Sequence, residues 1–167
     1  MEETPSLDSA PVSCRPALSC GALWMDMPKT PDALELTIEI DLAQLAVVRD
    51  HVERFAKQEN LSRVVAFAAE LALEELLTNT ISYGYGDKSG QLIEIRLEVL
   101  GDQLIIRTVD GALAFDPRTA KEPNTELSLK KRALGGLGVH LIKNLMDRVE
   151  YRHKDGKNHV TLRKNLK

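Results

Sequence analysis

The chain has no run of about 20 apolar residues, because Glu70, Glu74 and Glu75 interrupt its most hydrophobic stretch, so a membrane-spanning helix is not expected. A P-loop is excluded, since no GxxxxGKS/T occurs, and the glycine spacing also misses the dinucleotide GxGxxG pattern. The four histidines, His51, His140, His153 and His159, lack metal-ligand spacing, and no nucleophilic serine or cysteine motif is visible. There are no internal repeats. Only two cysteines are present, Cys14 and Cys20, and they lack a second ligand pair; reduced, structurally idle thiols and a cytoplasmic setting are expected. A net charge of -3 supplies no global attraction to nucleic acid. Residues 143–167 do hold eight Lys or Arg against three acids, which reads as solvated edge strands and a helix C-terminus.

With 167 residues, 43% of them apolar, the chain suits one domain with a real core. Residues 1–31 differ from the rest: they carry five of the seven prolines and both cysteines, without a periodic apolar pattern. A disordered leader is expected there, followed by a single domain over residues 32–167. Glu2 and Glu3 stand where a secretory signal would be basic.

From Leu34 to Ile40 the chain alternates as a half-buried strand. Asp41 is then placed to cap a helix in which Leu42, Leu45, Val48, Val52 and Phe55 recur at steps of three or four. Ser62 caps a second helix, from Arg63 to about Ser82, with a broader apolar surface that marks it as central. Residues 92–100 and 104–109 alternate as a hairpin turning at Gly101-Asp102, and Asp110 stands at its end. Residues 118–132 are polar and read as a long lid-like connection. A helix over 138–147 and a last hairpin, 149–153 with 159–163 around Asp155-Gly156, complete the order. Hairpins dominate, so the expected architecture is a two-layer α/β sandwich, its sheet mixed but mainly antiparallel and its helices on one face.

Three short segments carry the chemistry: Glu75-Leu-Leu-Thr-Asn79, Asp110-Gly-Ala-Leu-Ala-Phe-Asp-Pro117 and Leu134-Gly-Gly-Leu-Gly-Val-His-Leu141. Glu75 and Asn79 are four apart, so they share a helix face. Mg²⁺ prefers hard oxygen ligands shared with phosphates, which suits the Asn79 amide oxygen, and Glu75 is then the general base for an attacking hydroxyl. As a strand-end carboxylate, Asp110 accepts a hydrogen bond from an exocyclic amine such as that of adenine. Gly135, Gly136 and Gly138 let backbone approach a phosphate at a helix N-terminus, with Lys130, Lys131 and Arg132 just before them. Phe115 and Pro117 are expected to pack and shape the turn. Taken singly, each segment also has an ordinary reading as a surface pair, a turn aspartate or a flexible connector. Together they point to ATP and Mg²⁺ held without a P-loop.

In this order the segments resemble the N box and the two glycine boxes of the GHKL ATPase superfamily, shared by histidine kinases and gyrase-type topoisomerases. With Tyr83-Gly-Tyr85 and the terminal Val160-Thr-Leu-Arg-Lys164, they look most like its anti-sigma-factor serine/threonine kinase branch, and the resemblance spans about residues 34–166. It implies the histidine-kinase-like ATPase fold, with Glu75 as catalytic base and Asn79 as Mg²⁺ ligand. Asp110 becomes the adenine contact and Gly135, Gly136 and Gly138 the phosphate-facing turn, while Ala112 and Leu137 fall among the nucleotide-binding positions. Ala112 stands where that branch usually has glycine. By position on the first helix, Arg49 matches an arginine that binds the partner protein. The implied partners are a STAS-type anti-anti-sigma protein, phosphorylated on serine or threonine, and a sigma factor, with a second copy of the chain making a homodimer. The alternative is a nucleotide-dependent interaction module without phosphotransfer; the catalytic half of a sensor histidine kinase fits poorly, for lack of a helical hairpin bearing a phosphoacceptor histidine.

Overall fold

Alternation builds the first strand of the computed structural model, which describes residues 32–86, 89–119 and 136–167. In β1 (Leu34–Glu39) the leucines and Ile38 turn inward and Glu35, Thr37 and Glu39 outward. The helix that follows, α1 (Gln44–Gln58), buries Val48, Val52, Phe55 and Ala56 at helical spacing. Asp41 does not cap it. Its Oδ1 accepts from the Ala43 amide at 2.9 Å, closing a turn one step earlier, and Ala43 occupies the cap position without a side-chain bond. Leu42 is accordingly half exposed, and the apolar stripe begins at Leu45.

The central helix α2 (Arg63–Tyr83) starts as expected, with Ser62 Oγ accepting from the Val65 amide at 3.3 Å. It buries Val65, Ala68, Ala69, Ala72, Leu73, Leu76 and Leu77, and it packs against both α1 and the third helix, α3 (Gly136–Leu145). Its alanines let neighbouring elements come close. Among the described residues no helix is long and apolar enough to cross a membrane.

The remaining strands are β2 (Leu92–Leu100), β3 (Gln103–Asp110), β4 (Arg148–Lys154) and β5 (Lys157–Asn165). They form one sheet in the order β1-β2-β3-β5-β4, and all four pairings are antiparallel, so no parallel pair enters. The β4–β5 turn uses Asp155 and Gly156, both at positive φ (52° and 74°), the geometry whose twist matches a two-residue hairpin.

Register sorts the side chains into two faces. The row Leu34, Leu97, Ile106, Leu162 and Val149 belongs to the helix-facing core, where Leu97, Ile106 and Leu162 are at most 1% exposed. Each such side chain contributes about 1.5–3 kcal/mol relative to exposure. The opposite face carries the row Glu35, Arg96, Arg107, Thr161 and Glu150. There Glu98, 2% exposed, binds both Arg96, at 2.8 Å, and Arg107, while Arg96 also reaches Glu35. Burial pushes the Glu98 carboxyl up, but the two guanidinium hydrogen bonds and charges outweigh it and hold the group below its ordinary value. A cavity of about 330 Å³ on this face is lined by Arg107, Arg152, His159, Thr161 and Arg163.

Candidate nucleotide site

The second glycine segment reaches the central helix through a missing side chain. Gly138 is buried as the third residue of α3, so the helix begins two residues earlier than its glycine pattern suggests and the glycine lies inside its first turn. A Cβ placed there would fall 2.2 Å from Glu75 Oε2 and 3.1 Å from Asn79 Nδ2. Glycine therefore leaves room for the Glu75 carboxylate where α3 packs on this face of α2.

Asn79 donates through Nδ2 to the Glu75 carbonyl at 2.8 Å. A carbonyl only accepts, so the amide orientation is fixed by chemistry, and Oδ1 is the atom left to face away from the helix backbone. A hard oxygen in that place suits Mg²⁺. Among the described residues no three His, Cys, Asp or Glu converge on a common point, so a cation here would be held jointly with phosphate oxygens, as Mg²⁺ commonly is.

The first glycine segment is fastened to the far end of the same helix. Gly84, the C-cap of α2, accepts from the Leu113 amide at 2.8 Å, and Gly111 donates to Tyr85 Oη at 3.2 Å. Burial pushes the Tyr85 phenol up to about 12, so it stays neutral at any physiological pH. Ala112 resolves the departure from the usual glycine: its methyl is the atom that a Cβ on Gly84 would meet at 2.6 Å. The extra carbon is buried against Gly84, whose own lack of a side chain makes the room.

Asp110, the last residue of β3, is 4% exposed. Its Oδ1 accepts from the Ala112 amide at 3.0 Å and from Asn158 Nδ2 at 2.9 Å, while no described residue bonds Oδ2. Desolvation raises this carboxyl above its ordinary value, with Asn158 and Ala112 drawing it partly back. Asn158 was not singled out from the sequence, and Gly84 and Tyr85 entered only within the Tyr83-Gly-Tyr85 motif, without a role in the site. Asn158 did leave a signal, since it shares the inward phase of Val160 and Leu162 and pairs directly with Asp110, but the strand was expected to start only at His159.

Nine residues separate Glu75 from Gly84, about 13 Å of helix axis at 1.5 Å per residue. The two glycine segments thus meet α2 at opposite ends of one stretch, with Asn79 between them. Gly136 and Leu137 are the first residues of α3. Gly135, Lys130, Lys131 and Arg132, the connection beyond Thr119, and residues 1–31 with Cys14 and Cys20 lie outside the described residues. Pro117 is buried as expected; Phe115 is not packed but half exposed. Arg49 stands apart from the constellation, exposed on α1 at a shallow notch that it lines with Leu45, Val48, Glu70 and Glu74.

The histidine kinase-like ATPase domain model matches residues 38–164, most of the chain and every segment just described. The chain belongs to the histidine kinase-like ATPase domain family. Among the relatives of this family member is the serine/threonine-protein kinase BtrW of Bordetella bronchiseptica, 28% identical over 81% of this chain and 94% of the relative. The serine-protein kinase RsbW of Bacillus pumilus is 26% identical, covering 78% and 84% respectively. A crystal structure of the RsbU and RsbW domains of Rv1364c from Mycobacterium tuberculosis superposes with a TM-score of 0.57 over 82% of this chain, at 17% identity. The chain spans about a third of that longer protein, and the likeness concerns the fold. The resemblance read from the three motifs is borne out, and with it the α/β sandwich of a histidine-kinase-like ATPase.

Proposed function

We propose that this family member is a Mg-ATP-dependent protein serine/threonine kinase, with a STAS-type anti-anti-sigma protein as phosphoacceptor and a sigma factor as the alternative partner of a homodimer. The observation that carries the reading is the closeness of Gly138 to Glu75 and Asn79, which brings a carboxylate and a side-chain amide to a helix N-terminus. When bound, Mg-ATP supplies the phosphoryl group, with ADP as leaving group.

The chain's own residues then have distinct tasks. Glu75 takes the proton of the acceptor hydroxyl as its oxygen bonds to phosphorus. Asn79 Oδ1 holds the cation, Asp110 Oδ2 accepts from the base amine, and the α3 N-terminus with its glycines faces the phosphates. Ala112 shapes the base end by packing on Gly84, and Gly136 and Leu137, which open α3, serve the phosphates together with Gly135. Arg49, away from this centre, is exposed for a protein partner. Being flanked by Glu70 and Glu74, it presents a mixed-charge edge rather than a purely basic one.

Labelled ATP, incubated with the purified protein and a STAS-type anti-anti-sigma protein, should label a serine or threonine of that partner. Labelling absent while nucleotide still binds would reduce the chain to a nucleotide-dependent interaction module. Asn79→Ala should remove the Mg²⁺-dependent part of ATP affinity by calorimetry; an affinity unchanged with and without Mg²⁺ would contradict the role of Oδ1.

Gly138→Ala separates activity from folding. The added methyl collides with the free end of a flexible side chain, so Glu75 swings away while the helix stays. Alanine in a helix interior is favoured over glycine by about 0.5–1 kcal/mol. Thermal stability should therefore hold or rise as phosphotransfer falls, and a variant that keeps full activity would show that Glu75 does not need its present position.

A further inference from the structure

The chemistry of one buried amide fixes a chain of hydrogen bonds at the base end of the site. Asn158 Nδ2 faces three groups that can only accept: Asp110 Oδ1 at 2.9 Å, and the carbonyls of Ala112 and Leu113, both at 3.2 Å. That atom must be the NH₂. Its Oδ1 consequently points at Tyr151 Oη, 2.8 Å away, and the phenol must donate to it. His153 Nδ1, 3.1 Å from the same oxygen, must likewise carry its hydrogen. Every direction in the relay is set, from the edge strand β4 through β5 to the acid of β3.

The relay holds two things at once. It occupies Asp110 Oδ1 completely, with the Ala112 amide as the second donor, so Oδ2 becomes the acceptor presented to a ligand. It also grips Ala112 and Leu113, which follow β3. Asn158 is 4% exposed, so its bonds are made without competition from water.

We infer that Asn158, oriented by Tyr151, is a positioning residue that aims Asp110 Oδ2 at the base and thereby sets selectivity for a purine bearing a 6-amine. The inference rests on the reading of Asp110 as the base contact. A carboxylate turned by rotation about its own side-chain bonds would present either oxygen, or neither, at the correct angle. The Asn158 amide removes that freedom, and Tyr151 removes the freedom of the amide.

The experiment compares MgATP with MgITP, which carries a carbonyl oxygen in place of the 6-amine, by calorimetry on the full chain, with thermal melts alongside. Loss of one hydrogen bond to a buried carboxylate corresponds to a preference for ATP of about 10- to 100-fold in the wild type. Asn158→Ala should shrink that ratio to near unity through weaker ATP binding, with ITP affinity holding, and Tyr151→Phe should shrink it part of the way. Equal losses for both nucleotides in Asn158→Ala, or a ratio left intact, would overturn the inference, because a merely structural role weakens both alike. Should Asn158→Ala fail to fold, Tyr151→Phe decides: an undiminished ratio overturns the proposal and a reduced one supports it. A wild-type protein that does not discriminate would instead remove the role of Asp110, and the inference with it, while labelling of the partner tests the kinase reading separately.

Discussion

Glu75→Gln should lower phosphotransfer to the partner protein by roughly 10²–10⁴-fold, the usual contribution of a positioned general base. Nucleotide affinity should stay the same or tighten slightly. The exchange keeps the shape that lies against Gly138 but removes a negative charge from the end of the site assigned to phosphates. The rate therefore falls without a loss of affinity, which unfolding or a general loosening of the site does not produce. Single-turnover labelling at saturating MgATP gives the rate and calorimetry the affinity; an unaltered rate would strip Glu75 of its role as base.

The largest stability effect is expected far from that chemistry, at Glu98. Its carboxylate serves Arg96 and Arg107 together, and all three side chains are at most 8% exposed. Glu98→Ala takes the shared acid from two buried guanidinium groups, and breaking such a pair costs about 3–5 kcal/mol. Urea denaturation should show the midpoint falling by that equivalent with little change in slope. The sign with pH follows from the lowered carboxyl. Glu98 stabilises fully above its ordinary value of 4.5, and the contribution disappears as pH falls through the lower folded-state value. Wild type and variant should thus differ most near neutrality and converge in acid; a constant gap down to pH 2 would contradict the ion-pair account.

What could be read in advance follows the range of the forces involved. The α2 cap at Ser62, the inward residues of α1 from Leu45 onward and of α2, and the Asp155-Gly156 turn are local properties, written in neighbouring residues, and the structure has them where the sequence pattern put them. Asp41 is the instructive local exception. Its side chain satisfied a turn amide first, and the helix began without it. The strand order is different in kind, because nothing within β4 or β5 says which of them pairs with β3. The same blindness hid Asn158, which has no importance within its own strand and acquires it from Asp110, 48 residues earlier. Gly84 and Ala112 illustrate it at the scale of one methyl group: an alanine in place of the usual glycine is accommodated by a glycine elsewhere, and only the packed structure pairs the two.

The insertion of β5 between β3 and β4 has a consequence for the order of events during synthesis. β5 leaves the ribosome after β4 yet lies between β4 and β3 in the sheet, so the nascent polypeptide can pair β1 with β2 and β2 with β3 but must leave the flank of β3 open until β5 has emerged. Asp110 lacks Asn158 for the same interval. A ribosome stalled anywhere before Lys157 would hold a species with an unclosed sheet and an Asp110 carboxylate not yet oriented by Asn158. Orientation of Asp110 and closure of the sheet are one event, timed by the emergence of β5.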